Sequence, residues 1–389
     1  MRAATFQGKG KIDVRHMPDP QIVNPRDAVI EVTSTAICGS DLHLYGGVIP
    51  GVEHDDILGH EFMGRVIEVG QGSTLTVGQR VVVPFTISCG ACFQCEALRF
   101  SACDNTCPVE NQEVAEQAFG YPLAGMFGFS GLTGGYPGGQ AQYVRVPFSD
   151  VGPIVVPDDI PDDRLLFLSD ILPTGWMAAL NAEIEPGDTI AVWGCGPVGL
   201  FAILSAFRQH AGRVIAIDGV PGRLALAETL GAEPVNYHET DILEALKQMT
   251  GGVGPDAVID AVGMEAHGFA LDNVADTIKQ KVGMGQDRAH VLRQAIMACR
   301  KGGRVSVPGV YGGKTDLFPM GALMQKGLQL RTGQTHVQRY TGELLEMIEQ
   351  DEIDPSFLIS HHLPLEEAAT GYRNFRDNQD EWIKVVLQP

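Results

Sequence analysis

Four thiols crowd into fifteen residues. Cys89, Cys92, Cys95 and Cys103, separated by two, two and seven residues, would place four sulfurs in one loop, the tetrahedral S4 set that closes around a structural zinc. Cys107, four residues on, is a fifth thiol and reads as a bystander. A second centre of chemistry is Gly194-Cys195-Gly196-Pro197-Val198-Gly199, a G-x-G-x-x-G. Its glycines permit a tight turn and close backbone approach, and the helix start behind them offers free N–H groups to a pyrophosphate. Nineteen residues past Gly199 stands Asp218, placed to accept from both adenine-ribose hydroxyls and to repel a 2′-phosphate. That pair specifies NAD, with Arg223 at the ribose or the adenine edge. A third set is dispersed: Cys38 and His60 are ligand types twenty-two residues apart. A catalytic zinc needs about three protein ligands and one open position, so spacing alone leaves these two as ligands or as buried core residues.

Such residues need a scaffold to position them. Up to about residue 156, short apolar runs at 28–32, 63–69, 80–84 and 141–146 are punctuated by Gly, Pro and Asp, a β-rich pattern. From about 185 to 312, apolar runs at 189–193, 213–218, 257–261 and 304–307 alternate with helical stretches at 200–207, 221–230 and 242–249. That alternation implies right-handed βαβ crossovers and a parallel sheet. A helix at 342–350 and a strand at 382–387 rejoin the first domain. The expected fold class is α/β: a discontinuous β-rich domain, 1–160 with 321–389, around a doubly wound dinucleotide-binding domain at 161–320. Segment 104–140, rich in Gly and aromatic residues, resists assignment.

Composition agrees with this layout. At roughly 150 residues per domain, 389 residues favour two domains over one or three. With 44% hydrophobic and 20% charged residues, the disordered, coiled-coil and collagen-like classes are excluded. A formal charge of −20 opposes nucleic-acid binding, which needs a basic footprint. Residues 189–207 carry no charge over nineteen positions, the length of a membrane span; the glycines and proline at 194–197 make them a strand, a turn and a helix instead. The N-terminus shows no apolar stretch of the signal-peptide kind. Outside the four clustered thiols and Cys38, the cysteines Cys107, Cys195 and Cys299 show no paired spacing, which fits a reducing, cytoplasmic setting away from any membrane.

Taken together, the motifs resemble the zinc-dependent medium-chain alcohol dehydrogenases. The resemblance runs over nearly the whole chain: Cys38-Gly39-Ser40-Asp41-Leu42-His43, then Gly59-His60-Glu61 with Gly64 and Gly70, the four-cysteine loop, and the 194–199 fingerprint, in family order. It implies a GroES-like catalytic domain and a Rossmann domain, with the active site between them. It also supplies a third catalytic ligand. Where common members have a cysteine before a Thr-Gly pair, this chain has Asp170 ahead of Thr174-Gly175, which is similar to the glutathione-independent formaldehyde dehydrogenase branch. On that resemblance Cys38, His60 and Asp170 hold a catalytic zinc, two zincs are bound per subunit, and Glu61 is a near-ligand. Ser40, the nicotinamide ribose and His43 form a proton relay. Val262 lies at the cofactor, Pro308 and Gly309 present backbone to the nicotinamide, and Lys384 either reaches the pyrophosphate or is an ordinary exposed lysine. Phe85 and Trp176 line the substrate pocket, core packing being an equal reading for Phe85. Met126, Phe127 and Phe129 form a pocket lid or a subunit contact. Tight-cofactor members of that branch carry a long insertion after the strand matching 304–307. Here residues 310–314 lead at once to Leu317, which implies a diffusible NAD.

The expectation is an oxidoreductase that moves a hydride between a small alcohol or aldehyde and NAD, assembled as a homodimer or homotetramer. One alternative is a formaldehyde dehydrogenase or dismutase with tightly held NAD. The other, of a different class, is a non-catalytic, zinc-stabilised NAD-binding protein.

Overall fold

The strand Ala28–Ile37 is rich in β-branched residues and alternates only briefly, with Glu31 and Thr33 outward, before becoming buried on both sides. It therefore runs five residues past the expected end at Val32 and delivers Cys38 at its tip. The computed structural model describes residues 1–265, 289–313 and 315–389, so Lys314 of the expected short connection lies outside it. These residues fall into two units, 1–173 with 336–389 and 174–335. The divisions stand at 173/174 and 335/336, in place of 160/161 and 320/321, for two reasons. Leu165 to Leu168 are fully buried in the first unit, packed on the strand Glu61–Val69. The stretch before Thr335 carries Gln329–Thr332, a strand of the second unit's sheet.

In the first unit the sheet order is His361–Pro364, Val385–Gln388, Ala28–Ile37, Glu61–Val69, Arg80–Val83 and Ile154–Val155. Tyr143–Val146 also pairs with Ala28–Ile37. Two registers matter for chemistry. Ala36 lies opposite Glu61, which brings His60 beside Cys38, and Val385 lies opposite Ile37, which brings Lys384 to the same corner. The hairpin Arg2–Phe6 with Ile12–His16 had no apolar run long enough to announce it, and segment 104–140 includes a helix, Val109–Phe119. The helix expected from 342 begins at Val337 and runs to Glu349.

In the second unit Thr189–Trp193, Arg213–Asp218 and Arg304–Val307 form where their apolar runs stand, and Ala257–Asp260 ends one residue early. Two further strands complete a parallel sheet in the order Glu233–Asn236, Arg213–Asp218, Thr189–Trp193, Ala257–Asp260, Arg304–Val307, Gln329–Thr332. These two are edge strands, polar enough to escape a search for apolar runs. Both faces of the central strands are covered, so Ala191, Ile215, Val258 and Val305 are fully buried. The strand order reverses between Thr189–Trp193 and Ala257–Asp260, the place where doubly wound sheets bind ligands. The charge-free run is strand Thr189–Trp193 and helix Pro197–Arg208. Among the described residues no helix is long and apolar enough to cross a membrane.

Candidate active site

Cys38 caps the helix Gly39–Tyr45, and its backbone N–H donates to Asp41 Oδ2 at 2.9 Å. His60 precedes the neighbouring strand, and Asp170 follows a buried 3-10 turn, Leu166–Ser169, tied to this corner by Phe85 N–H donating to the Ser169 carbonyl. Cys38, His60, Glu61 and Asp170 each offer a ligand atom within 4.8 Å of the others, and all four are buried. His60 Nε2 lies 3.3 Å from Asp170 Oδ2 and 3.1 Å from Ser40 Oγ, so this nitrogen faces the centre of the group. Its other nitrogen, Nδ1, lies 3.1 Å from Asp41 Oδ1. That arrangement orients an imidazole whose free nitrogen binds a metal.

Electrostatics point the same way. Burial pushes the Cys38 thiol up, and Glu61 adds to it against the pull of His60. Burial works against charging His60, yet Asp41 and Cys38 outweigh it and hold its pKa well above the ordinary value. Glu61 is also raised, by burial first, with Lys384 pulling back. Cys38, His60 and Glu61 thus all hold protons more tightly than usual in this buried corner, and a divalent cation stabilises such a group by replacing protons. Glu61 Oε2 is buried 2.7 Å from the Lys384 ammonium. Soft sulfur, imidazole and carboxylate together form a zinc-type donor set, and the residues fit that metal.

Cys89, Cys92, Cys95 and Cys103 converge in the same way, their sulfurs within 4.8 Å of one another. The Cys92 and Cys103 sulfurs lie 3.9 Å apart. Ala91 N–H and Asn105 Nδ2 donate to the Cys89 sulfur and Cys89 N–H to the Cys103 sulfur. Burial pushes the Cys89 thiol up, but those N–H donors prevail and bring it to about 7, whereas burial raises the Cys95 and Cys103 thiols. Cys107 stays outside the group and is buried against the Leu132 carbonyl.

The second unit holds the nucleotide motif. Gly194 has φ +86°, and a Cβ there would lie 2.7 Å from Val262 Cγ2. A Cβ on Gly199 would sit 1.8 Å from the Gly194 carbonyl oxygen, whereas one on Gly196 would meet nothing nearer than 4.0 Å. Pro197 opens the helix Pro197–Arg208, where its missing N–H costs nothing. The first-turn N–H groups of Val198 and Gly199 have no partner inside the helix. This is a cradle shaped for a pyrophosphate. Asp218 ends its strand with Oδ2 accepting from Cys195 N–H and Oδ1 from Gly219 and Val220 N–H. Arg223 Nη1 is 4.0 Å from the Cβ position of Gly196. Across the switch point, buried Asp260 accepts from Val262 and Gly263 N–H and from Tyr311 Oη, and its carbonyl accepts from Gly309 N–H. One residue, Asp260, thus ties Val262 through its carboxylate and Gly309 through its carbonyl.

The remaining expectations divide. Phe85 stands at the metal corner, its ring centroid 6.2 Å from that of His60, and Phe129 stands at 6.3 Å; both are edge-on. Phe85, Met126 and Val337 form one apolar cluster with Phe129 against it, while Phe127 is core, packed on Phe62. Ser40 and His43 lie three apart on one helix, hence on one face. Trp176 belongs to the second unit, where it is buried and its carbonyl accepts from Gln209. Of the two readings of Lys384, the exposed lysine requires correction: it does not face solvent. It is fully buried, and its Nζ donates to Glu61 Oε1 at 2.8 Å and to the Ile37 carbonyl at 3.0 Å. Its neighbours in the sequence, Ile383 and Val385, are apolar, and that signal of burial was available. Sequence reasoning also missed Gln140, whose Nε2 donates to Asp41 Oδ2 and whose Oε1 accepts from Tyr372 Oη.

Comparison with known proteins gives this geometry a family. Residues 24–158 match the model described as alcohol dehydrogenase GroES-like domain, and residues 197–283 that described as zinc-binding dehydrogenase. The zinc-type alcohol dehydrogenase-like protein AdhB of Bacillus subtilis is 43% identical over 394 residues, covering 100% of both chains. The glutathione-independent formaldehyde dehydrogenase of Pseudomonas aeruginosa is 33% identical over 416 residues, covering 100% of this chain and 97% of its own. Among solved structures, alcohol dehydrogenase TADH from Thermus sp. ATN1 superposes with TM-score 0.84 at 35% identity, over 100% of this chain and 99% of the other. The chain belongs to the zinc-type alcohol dehydrogenase family.

Proposed function

We propose that this oxidoreductase is NAD-dependent, carries two zinc ions per subunit and acts on a small alcohol or aldehyde. The observation that carries the reading is the meeting of Cys38, His60 and Asp170 in one buried corner under the aromatic edge of Phe85. Those three side chains would hold the catalytic zinc, and Cys89, Cys92, Cys95 and Cys103 the structural one. The glycine turn at 194–199, with Asp218 and Arg223, would hold NAD. When bound, zinc supplies Lewis-acid polarisation of the substrate oxygen and NAD accepts the hydride.

The chain does the rest. Ser40 Oγ, 3.1 Å from the inward nitrogen of His60, is placed to receive the proton of the substrate hydroxyl. His43, on the same helix face, passes it outward, histidine being the side chain suited to such transfer. Phe85, Phe129 and Val337 exclude water and favour an uncharged substrate. Asp41 keeps the His60 ring in its orientation. We further assign a homodimer or homotetramer working in the cytoplasm, the assembly to be read by light scattering.

Elemental analysis and an NAD-reduction screen test the reading. Two zincs per chain and reduction of NAD by alcohols or hydrated aldehydes are expected; a single zinc and no turnover would leave a zinc-stabilised NAD-binding protein. Asp170 in the third ligand position and the 33% identity to a formaldehyde dehydrogenase favour a second reading, formaldehyde oxidation or dismutation. Protein that arrives with NAD bound and converts formaldehyde without added cofactor would establish it.

A further inference from the structure

The Asp218 carboxylate has fewer free acceptor sites than an adenine ribose has hydroxyls. Its two oxygens offer about four lone-pair sites, and the chain itself takes three of them. Gly219 and Val220 N–H donate to Oδ1 at 2.7 and 2.9 Å, and Cys195 N–H donates to Oδ2 at 2.6 Å. One site on Oδ2 remains, so one of the two ribose hydroxyls must find its acceptor elsewhere. We propose, on the NAD reading above, that Tyr237 is the second reader of that ribose, its phenolic oxygen accepting from the hydroxyl for which Asp218 has no site.

Sheet register brings the phenol to this turn. The strand Glu233–Asn236 runs parallel to Arg213–Asp218 with Asn236 opposite Asp218, so Tyr237 leaves the sheet beside the Asp218–Gly219 turn, and its N–H donates to the Asp218 carbonyl at 3.2 Å. A Cβ on Gly219 would stand 2.5 Å from Tyr237 Cζ and 2.6 Å from Oη. The phenol head therefore occupies the space that a side chain after Asp218 would fill. Its ring packs on the core of this unit and lies beside the His238 ring, with centroids 4.5 Å apart, which fixes the end carrying the hydroxyl. Among the described residues that hydroxyl makes no hydrogen bond. Burial raises the Tyr237 pKa, with Asp218 adding to the rise and Arg223 opposing it, so the phenol stays neutral beside the two side chains already assigned to the nucleotide. Arg223 carries donors only and cannot accept from a ribose hydroxyl, whereas a phenol accepts one hydrogen bond while donating another. His238 Nε2 comes equally near the turn, 2.6 Å from the Gly219 Cβ position, and has to be separated from Tyr237 by experiment.

Calorimetric titration of the full-length, metal-loaded protein with AMP and with 2′,3′-dideoxy-AMP reads this contact without turnover. Tyr237→Phe should weaken AMP about three- to tenfold, the effect of one neutral hydrogen bond, and weaken the dideoxy nucleotide by less than about twofold. Of 2′-deoxy-AMP and 3′-deoxy-AMP, one should bind Tyr237→Phe as it binds wild type, which identifies the hydroxyl. NAD affinity should fall by the same factor as AMP affinity, with zinc content unchanged. Equal losses for AMP and dideoxy-AMP would mean that the phenol acts through packing alone, and an undiminished AMP affinity that it does not meet the ribose; either result overturns the proposal. So does a hydroxyl-dependent loss present in His238→Phe and absent from Tyr237→Phe. Wild-type protein that binds neither NAD nor AMP would overturn the NAD reading itself and this proposal with it, a result distinct from the others.

Discussion

Removing a single ligand should separate metal from cofactor. Cys38→Ala and Asp170→Ala each remove one of the three donors proposed for the catalytic zinc, so on that proposal metal content should fall from two per chain to one and turnover to background, with NAD affinity by fluorescence titration unchanged. Retained turnover in either metal-depleted variant would contradict the assignment. In the other unit, Gly199→Ala places a methyl 1.8 Å from the Gly194 carbonyl oxygen. Overpacking of this kind costs about 1–3 kcal/mol, which if borne by the turn weakens NAD binding on the order of tenfold, with both zincs kept. Legibility at this scale followed sequence distance. The four cysteines and the glycine turn could be read because their partners are a few residues away and spacing alone states the geometry. Cys38, His60 and Asp170 are spread over more than a hundred residues and became a set through family resemblance. Lys384 was misread for the same physical reason: its partner Glu61 is 323 positions away, and no local pattern records a contact made by sheet register.

Elements carry the site's precision. Buried hydrogen bonds run from Tyr372 on the helix Ala368–Asp377 through Gln140 to Asp41 Oδ2, and the other Asp41 oxygen lies 3.1 Å from His60 Nδ1. Gly59 makes room for them, since a Cβ there would lie 2.3 Å from Gln140 Cγ. Such outer partners typically matter 10–100-fold for metal affinity. Gln140→Leu should therefore weaken the catalytic zinc by about that factor in a chelator competition while the four-cysteine zinc is unchanged; equal loss from both sites would mean general loosening instead. A second element titrates. His336 caps the helix Val337–Glu349 and shares a hydrogen bond with Ser101. Burial first, then Arg339 and Arg99, hold its pKa below the ordinary value. Its folded state thus prefers the neutral ring, so the unfolded chain binds more protons as pH falls through about 6.5 and stability declines there. His336→Asn should flatten the dependence of Tm on pH between 7 and 5, and an unchanged slope would count against it. Strand and helix positions were legible wherever an apolar run was long. The edge strands Glu233–Asn236 and Gln329–Thr332 were not, because an edge needs no continuous apolar face.

At the scale of the whole molecule the charge of −20 is the property that no single residue expresses. It gives a field that repels anions out to about a Debye length, which is about 30 Å at 0.01 M salt and about 8 Å at 0.15 M. NAD is an anion overall, and Arg223 offers a cation beside its expected pyrophosphate turn. A small alcohol is neutral, and the corner it would enter is lined by Phe85, Met126 and Val337. Raising salt across that range should therefore speed NAD association, seen by stopped-flow fluorescence, and lower the apparent KM for NAD. The KM for a neutral alcohol should stay constant, and the KM for a carboxylate-bearing alcohol of similar size should fall alongside that of NAD. Faster NAD association at low salt than at high would show that the local field around Arg223 outweighs the molecular charge. Composition then would have misled about the cofactor for the reason it succeeded in excluding nucleic acid: a global sum describes long-range encounter, and a site a few ångströms across is governed by the charges that line it.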